Sequence, residues 1–162
     1  MNITTLLPDH WPSVKTIYEQ GIATGHATFQ TDSPTWEQWN ASHLTHSRLV
    51  ALEDGAVIGW AALTPVSSRC VYAGVAEVSV YIASGHRGQK VGQTLLQTLI
   101  ASSEQHNLWT LQAGIFPENE ASIRIHEKCG FRLVGYREKI GQQHGVWRNT
   151  VILERRSTAV GL

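Results

Sequence analysis

The chain has 162 residues, with 13 basic and 13 acidic side chains that bring its formal net charge to zero. This length suits one ordinary domain, and a hydrophobic share of 42% can supply one packed core. The balanced charge argues against a nucleic-acid binder, and the charged fraction of only 16% argues against a disordered chain. We therefore expect one globular domain over residues 1–162.

The two cysteines, Cys70 and Cys129, stand far apart and match neither a disulfide framework nor a zinc site. We interpret both as reduced thiols, which predicts a cytoplasmic protein. The N-terminal segment lacks the basic stretch and apolar run of a signal peptide. No segment approaches the roughly 18 continuous apolar residues of a transmembrane helix, so we expect no contact with a membrane.

Hydrophobic periodicity predicts two helices in the first quarter of the chain. The first should run from about residue 9 or 11 to residue 21, because apolar residues recur there with helical spacing. The segment 21–34 is rich in Gly, Thr and His and should form a loop. A second helix is predicted over 35–46. One face of this helix should carry Trp36, Trp39 and His43.

Three strands should follow, over 49–53, 57–64 and 75–83. The dipeptide Asp54-Gly55 is a typical hairpin turn and should join the first two strands. The segment 65–74 shows no regular pattern and should be an irregular loop.

Helices and strands alternate in the remaining chain. The expected elements are a long helix over 89–106, a strand over 108–115, a short helix over 119–129, and strands over 133–139 and 147–154. Gly130 should cap the short helix, because glycine accepts the left-handed conformation of a helix end. This order predicts a mixed α/β domain with one central sheet and helices packed against it.

The turn between the third strand and the long helix has the character of an anion site. It runs from Ser84 to Gly92 with the sequence SGHRGQKVG. Backbone N–H groups at a helix start lack partners within the helix and favour an anion such as a pyrophosphate. Arg87 and Lys90 add positive charge. The turn lacks the pattern of a P-loop or a dinucleotide fold, and a surface turn that only caps the helix is the alternative.

Two segments resemble motifs of the GNAT acetyltransferase superfamily. Residues 77–96, EVSVYIASGHRGQKVGQTLL, resemble the family's acetyl-CoA motif through Arg87 and Gly92, although Lys90 stands where the first glycine is usual. Residues 119–131, NEASIRIHEKCGF, resemble a second family motif. The resemblance implies an α/β (α+β) domain with a central mixed, mostly antiparallel sheet flanked by helices.

Three shorter segments are similar to phosphinothricin acetyltransferases and their methionine-sulfoximine-acetylating relatives. They are residues 25–29 (GHATF), 69–77 and 144–147 (HGVW). The similarity extends over about residues 3–154 and leaves 155–162 as a tail. It implies a homodimeric, acetyl-CoA-dependent N-acetyltransferase that transfers the acetyl group directly to the amine of a small amino-acid-like molecule.

The resemblance also implies where CoA binds. The spacing of Asn119, Ser122 and His126 places them on one face of the short helix. In the family, this face lies along the CoA arm, and the N–H groups of the glycine turn bind the pyrophosphate. The expected cofactor-binding residues are Val80, Tyr81, Ile82, Arg87, Gly88, Gln89, Lys90, Val91, Gly92, Gln93, Asn119 and Ser122.

Glu77 and His126 are the candidate catalytic residues. Glu77 alternates with the buried residues of its strand, so its carboxylate should face either a cleft or solvent. In a cleft it could accept a proton from an amine. The resemblance favours the role of general base. His126 stands where many relatives carry a Tyr thought to protonate the leaving thiolate, and imidazole can do so at neutral pH. A packed helix histidine is the alternative.

The loop before the Glu77 strand is a candidate for acceptor recognition. Arg69 and Tyr72 precede Glu77 by eight and five residues. An arginine there suits the carboxylate of an amino-acid acceptor, which it can bind with two hydrogen bonds, and an exposed loop arginine is the alternative. The expected acceptor-site residues are Phe29, Arg69, Val71, Tyr72, Glu77 and Trp147.

Two other functions remain open at this point: acetylation of protein or peptide amines, and CoA binding without catalysis. The presence of both Glu77 and His126 argues against a module that has lost catalysis. The aromatic and arginine-bearing loops favour a small acceptor. His43 and His46 stand three residues apart, but no third ligand has a fitting spacing, so we expect no metal.

Overall fold

One sheet of seven strands organises the fold. The computed structural model describes residues 1–162, and its strands are β1 (Asn2–Thr5), β2 (Leu49–Glu53), β3 (Ala56–Pro65), β4 (Val75–Ile82), β5 (Thr110–Ile115), β6 (Arg132–Gln143) and β7 (Val146–Arg156). Their order across the sheet is β1-β2-β3-β4-β5-β7-β6. Only β4 and β5 pair in parallel, which confirms the predicted mixed, mostly antiparallel sheet.

Four α-helices accompany the sheet. They are α1 (Trp11–Ala23), α2 (Trp36–Ser42), α3 (Val91–Gln105) and α4 (Glu120–Lys128). Short 3₁₀ turns cover Pro8–His10, Cys70–Tyr72 and Ser84–His86. None of these helices combines the length and the apolar character that a membrane crossing requires.

The alternation of side chains along β3 divides the core between the two faces of the sheet. Ala61 and Leu63 face a larger cluster that includes α3, whereas Trp60 and Ala62 face a smaller cluster that includes α1. Fully burying one leucine contributes roughly 1.5–3 kcal/mol, so α3 is anchored firmly to the sheet. Its fully buried leucines are Leu95, Leu96 and Leu99.

Three elements differ from those that the sequence predicts. β1 was missed, because four residues show too little periodicity; it forms by pairing Ile3 with Ala51 of β2. α2 ends at Ser42 instead of about residue 46, because His43 turns to an extended backbone with ψ of 152°. β6 continues four residues beyond the predicted end, since its pairing with β7 resumes after an irregularity between Arg137 and Gly141.

The parallel contact between β4 and β5 is confined to three residue pairs. They are Val75–Thr110, Ala76–Leu111 and Glu77–Gln112. The carbonyl of Gly74 accepts hydrogen bonds from the N–H groups of Trp109 (2.8 Å) and Thr110 (3.1 Å) just before this contact. Beyond Glu77, β4 remains paired with β3 only, as far as Ile82. The two strands therefore diverge, and a cleft opens between them.

Candidate active site

Two adjoining cavities occupy the region where β4 and β5 diverge. The first, which we call the strand cavity, measures about 350 Å³ and is lined by Glu77 and by residues of β5, β6 and β7. The second, the helix cavity, measures about 520 Å³ and lies beside the start of α3. Six residues line both cavities, so the two cavities adjoin. The residues that line both are Ala27, Val80, Tyr81, Asn119, Ser122 and His126.

The helix cavity lies where the sequence predicts an anion site. The first hydrogen bond within α3 runs from the N–H of Thr94 to the carbonyl of Lys90 (3.1 Å), so the N–H groups of residues 91–93 have no acceptor within the helix. Arg87 and Lys90 both line this cavity, and Gln89 does not. The other predicted cofactor residues line it as well: Val80, Tyr81, Ile82, Gly88, Val91, Gly92, Gln93, Asn119 and Ser122.

Lys90 precedes α3 in the left-handed conformation, with φ of 64° and ψ of 13°. A residue with a side chain is less stable there by about 1–2 kcal/mol, which explains why glycine is usual at such a position. Here the lysine adopts the same backbone geometry and adds an ammonium group to the cavity wall. Two positions further on, a side chain on Gly92 would lie 3.1 Å from Ile125, so glycine lets α3 and α4 pack closely.

Glu77 lies on the face of the sheet opposite α3 and lines the strand cavity half-buried. Gly114 of β5 has no side chain, and a carbon added there would lie 3.7 Å from a carboxylate oxygen of Glu77. The glycine therefore leaves this carboxylate open toward the cavity. Arg137 and Thr150, a cross-strand pair of β6 and β7, also line the cavity.

The Tyr81 ring separates the core from both cavities. It stacks on Trp60 with ring centres 4.8 Å apart and on Tyr18 with ring centres 5.0 Å apart. A side chain on Gly21 would come within 2.6 Å of the Tyr81 ring, so glycine allows α1 to lie this close. Burial raises the pKa of Tyr81, so its hydroxyl stays protonated.

His126 is buried, with only 4% of its surface exposed, at the junction of the two cavities. Its Nδ1 lies 2.7 Å from the carbonyl of Ser122, so Nδ1 carries the proton and donates it to that oxygen. Its Nε2 is buried and has no hydrogen-bond partner within the protein. Burial lowers the pKa of His126 below its ordinary 6.5, partly offset by the Ser122 carbonyl. The ring is therefore neutral at pH 7 and presents an acceptor nitrogen.

Of the residues predicted to bind the acceptor, Phe29 and Glu77 line the strand cavity. It meets Phe116 edge-on with ring centres 4.8 Å apart, and a side chain on Gly141 would come within 2.9 Å of its ring. The other predicted acceptor residues line neither cavity. The guanidinium of Arg69 stacks 5.6 Å from the ring of Tyr72, and Val71 and Trp147 are exposed. Their part in acceptor binding stays a prediction.

Several residues that line the strand cavity were not foreseen. Thr150 and Ile152 follow Arg148 at intervals of two, and this period along β7 could have placed them on one face. Arg137 had no such signal, because the irregularity between Arg137 and Gly141 shifts the alternation along β6. The unforeseen lining residues include Ile115, Phe116, Arg137, Ile140, Thr150 and Ile152.

The remaining histidine and cysteine candidates lie elsewhere. Nδ1 of His43 lies 2.7 Å from the carbonyl of Trp39, and His46 stacks on His106 with ring centres 3.9 Å apart. The structure contains no cluster of three or more His, Cys, Asp or Glu side chains that could bind a metal ion. Both Cys70 and Cys129 are free thiols.

Comparison with known proteins identifies the class. Residues 11–131, most of the chain, match the model of the acetyltransferase (GNAT) family. The chain therefore belongs to the GNAT acetyltransferases and is an acetyl-CoA-dependent N-acetyltransferase. Fold, family and enzyme class are confirmed as the sequence predicts them.

Individual relatives and solved structures in the family are similar to most of this chain. A phosphinothricin N-acetyltransferase of Alcaligenes faecalis is 36% identical over 155 residues, which cover 91% of this chain and 78% of that relative. A phosphinothricin acetyltransferase of Sinorhizobium meliloti, solved in complex with AcCoA, has a TM-score of 0.90 and 26% identity over 99% of this chain and 90% of that one. A ribosomal-protein-alanine N-acetyltransferase from Brucella melitensis has a TM-score of 0.89 and 28% identity, and the match covers 97% of this chain and 100% of that one.

The neutral state of His126 predicts a loss of stability in acid. The unfolded chain binds a proton on this histidine near pH 6.5. The folded protein binds it only at lower pH, so the free energy of unfolding should fall as the pH drops below about 6.5. His126→Asn preserves an N–H for the Ser122 carbonyl without titrating, so urea denaturation between pH 7.5 and 5 should show a smaller fall. His43 and His46, whose pKa values burial also lowers, should account for the slope that remains. Equal slopes in both proteins would contradict the assignment.

Proposed function

We propose that this enzyme acetylates the amine of a small amino-acid-like acceptor that carries a carboxylate, with Glu77 as the general base. The observation that carries the proposal is the half-buried carboxylate of Glu77 in a cavity of about 350 Å³ that adjoins the predicted CoA site. This volume lies within the range of small-ligand sites. The similarity to proteins named phosphinothricin N-acetyltransferase supports an acceptor of this class.

The residues around the helix cavity suit acetyl-CoA. The free N–H groups of residues 91–93, together with Arg87 and Lys90, would bind the pyrophosphate at the positive end of the α3 dipole. The edge of β4 from Val80 to Ile82 has no partner in β5, so its backbone groups are available to the amide groups of the CoA arm. When bound, acetyl-CoA supplies the activated acetyl thioester where the two cavities meet.

Two protons leave the acceptor nitrogen during the transfer. An amino-acid amine enters as an ammonium group, and Glu77 takes the first proton so that the nitrogen can attack the thioester carbon. As the C–N bond forms and the C–S bond breaks, Nε2 of His126 takes the second proton and passes it to the departing sulfur. Because this imidazole starts neutral, its predicted role as proton donor requires that it first accepts a proton.

Replacement of the general base tests the first step. Glu77→Gln preserves the size of the side chain but cannot accept a proton, so kcat at neutral pH should fall by about 10²- to 10⁴-fold. The release of free thiol from acetyl-CoA measures kcat. As a control, the Kd for CoA, measured by isothermal titration, should stay within about twofold of the wild type, because Glu77 does not line the helix cavity. An unchanged kcat would assign the proton to another acceptor.

Recognition of the acceptor carboxylate can be tested with two arginines. Arg137 lines the strand cavity, and Arg69 lies on the loop before β4. Losing a charge-assisted contact costs about 2 kcal/mol, which is about thirtyfold in affinity. Arg69→Gln or Arg137→Gln should therefore raise KM for phosphinothricin about thirtyfold, with little change for the matching amine that lacks the carboxylate. If neither variant discriminates between these acceptors, carboxylate recognition by arginine is wrong.

The similarity to a ribosomal-protein-alanine N-acetyltransferase favours a second candidate function, acetylation of a peptide N-terminus. A panel with phosphinothricin, methionine sulfoximine, methionine sulfone and an alanine-initiated peptide separates the two. Thiol release with the small amino acids supports our proposal, and release with the peptide alone supports the second candidate. No release with any of these four amines would contradict both candidate acceptor classes.

We also propose that the enzyme is a homodimer that buries the exposed surface of the β6–β7 hairpin. β6 is an edge strand of the sheet, and apolar side chains cluster on this hairpin. Such an exposed edge favours pairing with another chain, and a second copy is a partner of matching shape. The exposed apolar residues are Leu133, Val134, Tyr136, Ile140, Val146 and Trp147.

Sedimentation equilibrium measures the oligomeric state directly. We expect a mass of twice 17.9 kDa for the wild type. Tyr136→Glu combined with Trp147→Glu should return the protein to the monomer mass, because a charge in an apolar interface is costly. A wild type that stays monomeric at micromolar concentration would contradict the dimer.

A further inference from the structure

The loop that follows α1 forms part of the wall of both cavities. We call residues 24–30 the 24–30 loop; it contains neither helix nor strand. Ala27 lines both cavities and thereby joins their walls. The other lining residues divide between the two cavities: Thr24 and His26 line the helix cavity, and Thr28 and Phe29 line the strand cavity.

Three side chains from distant parts of the chain fasten this loop through its carbonyl groups. Nη1 of Arg148 donates to the carbonyl of Gly25 (2.7 Å). Nε2 of Gln143 donates to the carbonyl of Thr28 (2.9 Å), and Nδ2 of Asn119 donates to the carbonyl of His26 (3.2 Å). The loop therefore depends on the β6–β7 hairpin and on the N-terminus of α4 for its position.

Arg148 connects more of these parts than any other side chain in the group. Only 13% of its side chain is exposed. Besides Gly25, its guanidinium donates to Nδ1 of His26 (3.0 Å), to Oε1 of Gln143 and to Oε2 of Glu118 (3.3 Å). Its Cζ lies 3.8 Å from the centre of the Phe116 ring. A planar guanidinium can serve several acceptors at once in a fixed geometry, which an ammonium group cannot do.

We propose that Arg148 is a positioning residue that holds the 24–30 loop against the β6–β7 hairpin and α4, and so sets the walls of both cavities. Arg148 itself lines neither cavity, so it acts through the residues that it contacts. These are the loop residues and also Phe116 and Glu118, which line the strand cavity and the helix cavity respectively. Because the loop contributes to both walls, its displacement affects both ligands together. The identity of those ligands rests on the proposed function, whereas the fastening of the loop does not.

The variant Arg148→Gln tests this role. It removes the guanidinium that donates to Gly25, His26, Gln143 and Glu118. The loss of a hydrogen bond that involves a charged group typically changes an equilibrium constant about tenfold. KM for the acceptor and Kd for CoA should therefore each rise about tenfold, with a smaller change in kcat. Hydrogen–deuterium exchange of the ligand-free protein should be faster in the peptide that contains residues 24–30 and unchanged in α3.

Arg148→Lys provides a second variant with the same charge. Its ammonium can reach some of the acceptors but not all of them, so we expect KM and Kd to rise about threefold, with faster exchange in the 24–30 loop. This variant decides the question if Arg148→Gln does not fold. Unchanged KM, Kd and loop exchange in Arg148→Lys would then overturn the proposal.

Arg155→Gln is the matched control. Arg155 also lies on β7, is 23% exposed and pairs with Glu104 at 3.0 Å, outside both cavities. It should lower the free energy of unfolding without affecting KM, Kd or exchange in the 24–30 loop. Equal effects of Arg155→Gln and Arg148→Gln on KM, Kd and loop exchange would mean that Arg148 only stabilises the fold, and they would contradict the proposal. Faster loop exchange in Arg148→Gln, with no CoA binding by the wild type, would support positioning and reject the proposed function.

Discussion

The short parallel contact between β4 and β5 is the constraint on which the site depends. Three residue pairs join the strands, and both strands then continue without each other. Each strand keeps its other neighbour: β3 pairs with β4 as far as Ile82, and β7 pairs with β5. The sheet therefore opens a cleft between two strands that each keep their pairing with the neighbour on the other side. Glu77 is the last residue of β4 that pairs with β5, which places it where the cleft begins.

Two residues around this cleft adopt arrangements that lower the stability of the folded chain. Lys90 adopts a left-handed conformation that glycine would adopt with less strain, and Nε2 of His126 is buried without a partner. Lys90 adds a positive charge at a helix start, and His126, which lines both cavities, keeps an acceptor nitrogen without a partner. Such local costs typically gather at functional sites, where the surrounding structure stabilises them. The leucines of α3 and the stacked rings of Trp60 and Tyr81 form that surrounding structure.

The cavity walls are assembled from segments that are far apart in sequence. Arg148 and Gln143 contact the 24–30 loop across 123 and 115 residues. A loop without helix or strand has little stability of its own. Its position therefore depends on the side chains that donate hydrogen bonds to its carbonyl groups. The β6–β7 hairpin and the N-terminus of α4 thus determine the position of this loop. This arrangement links the cavity predicted for CoA with the cavity predicted for the acceptor.

The sequence by itself determined the elements with strong periodicity, such as α3, and the glycine-bearing turn at its start, because these depend on neighbours within a few residues. The motifs also brought Glu77, His126 and the α4 stripe into one site. Only the tertiary structure decided that β1 forms, that Arg137 lines the strand cavity and that Arg69 lies outside it. It likewise decided which nitrogen of His126 is free. These outcomes depend on strand register, on a local irregularity in β6 and on hydrogen bonds between distant segments, none of which leaves a periodic pattern in the chain.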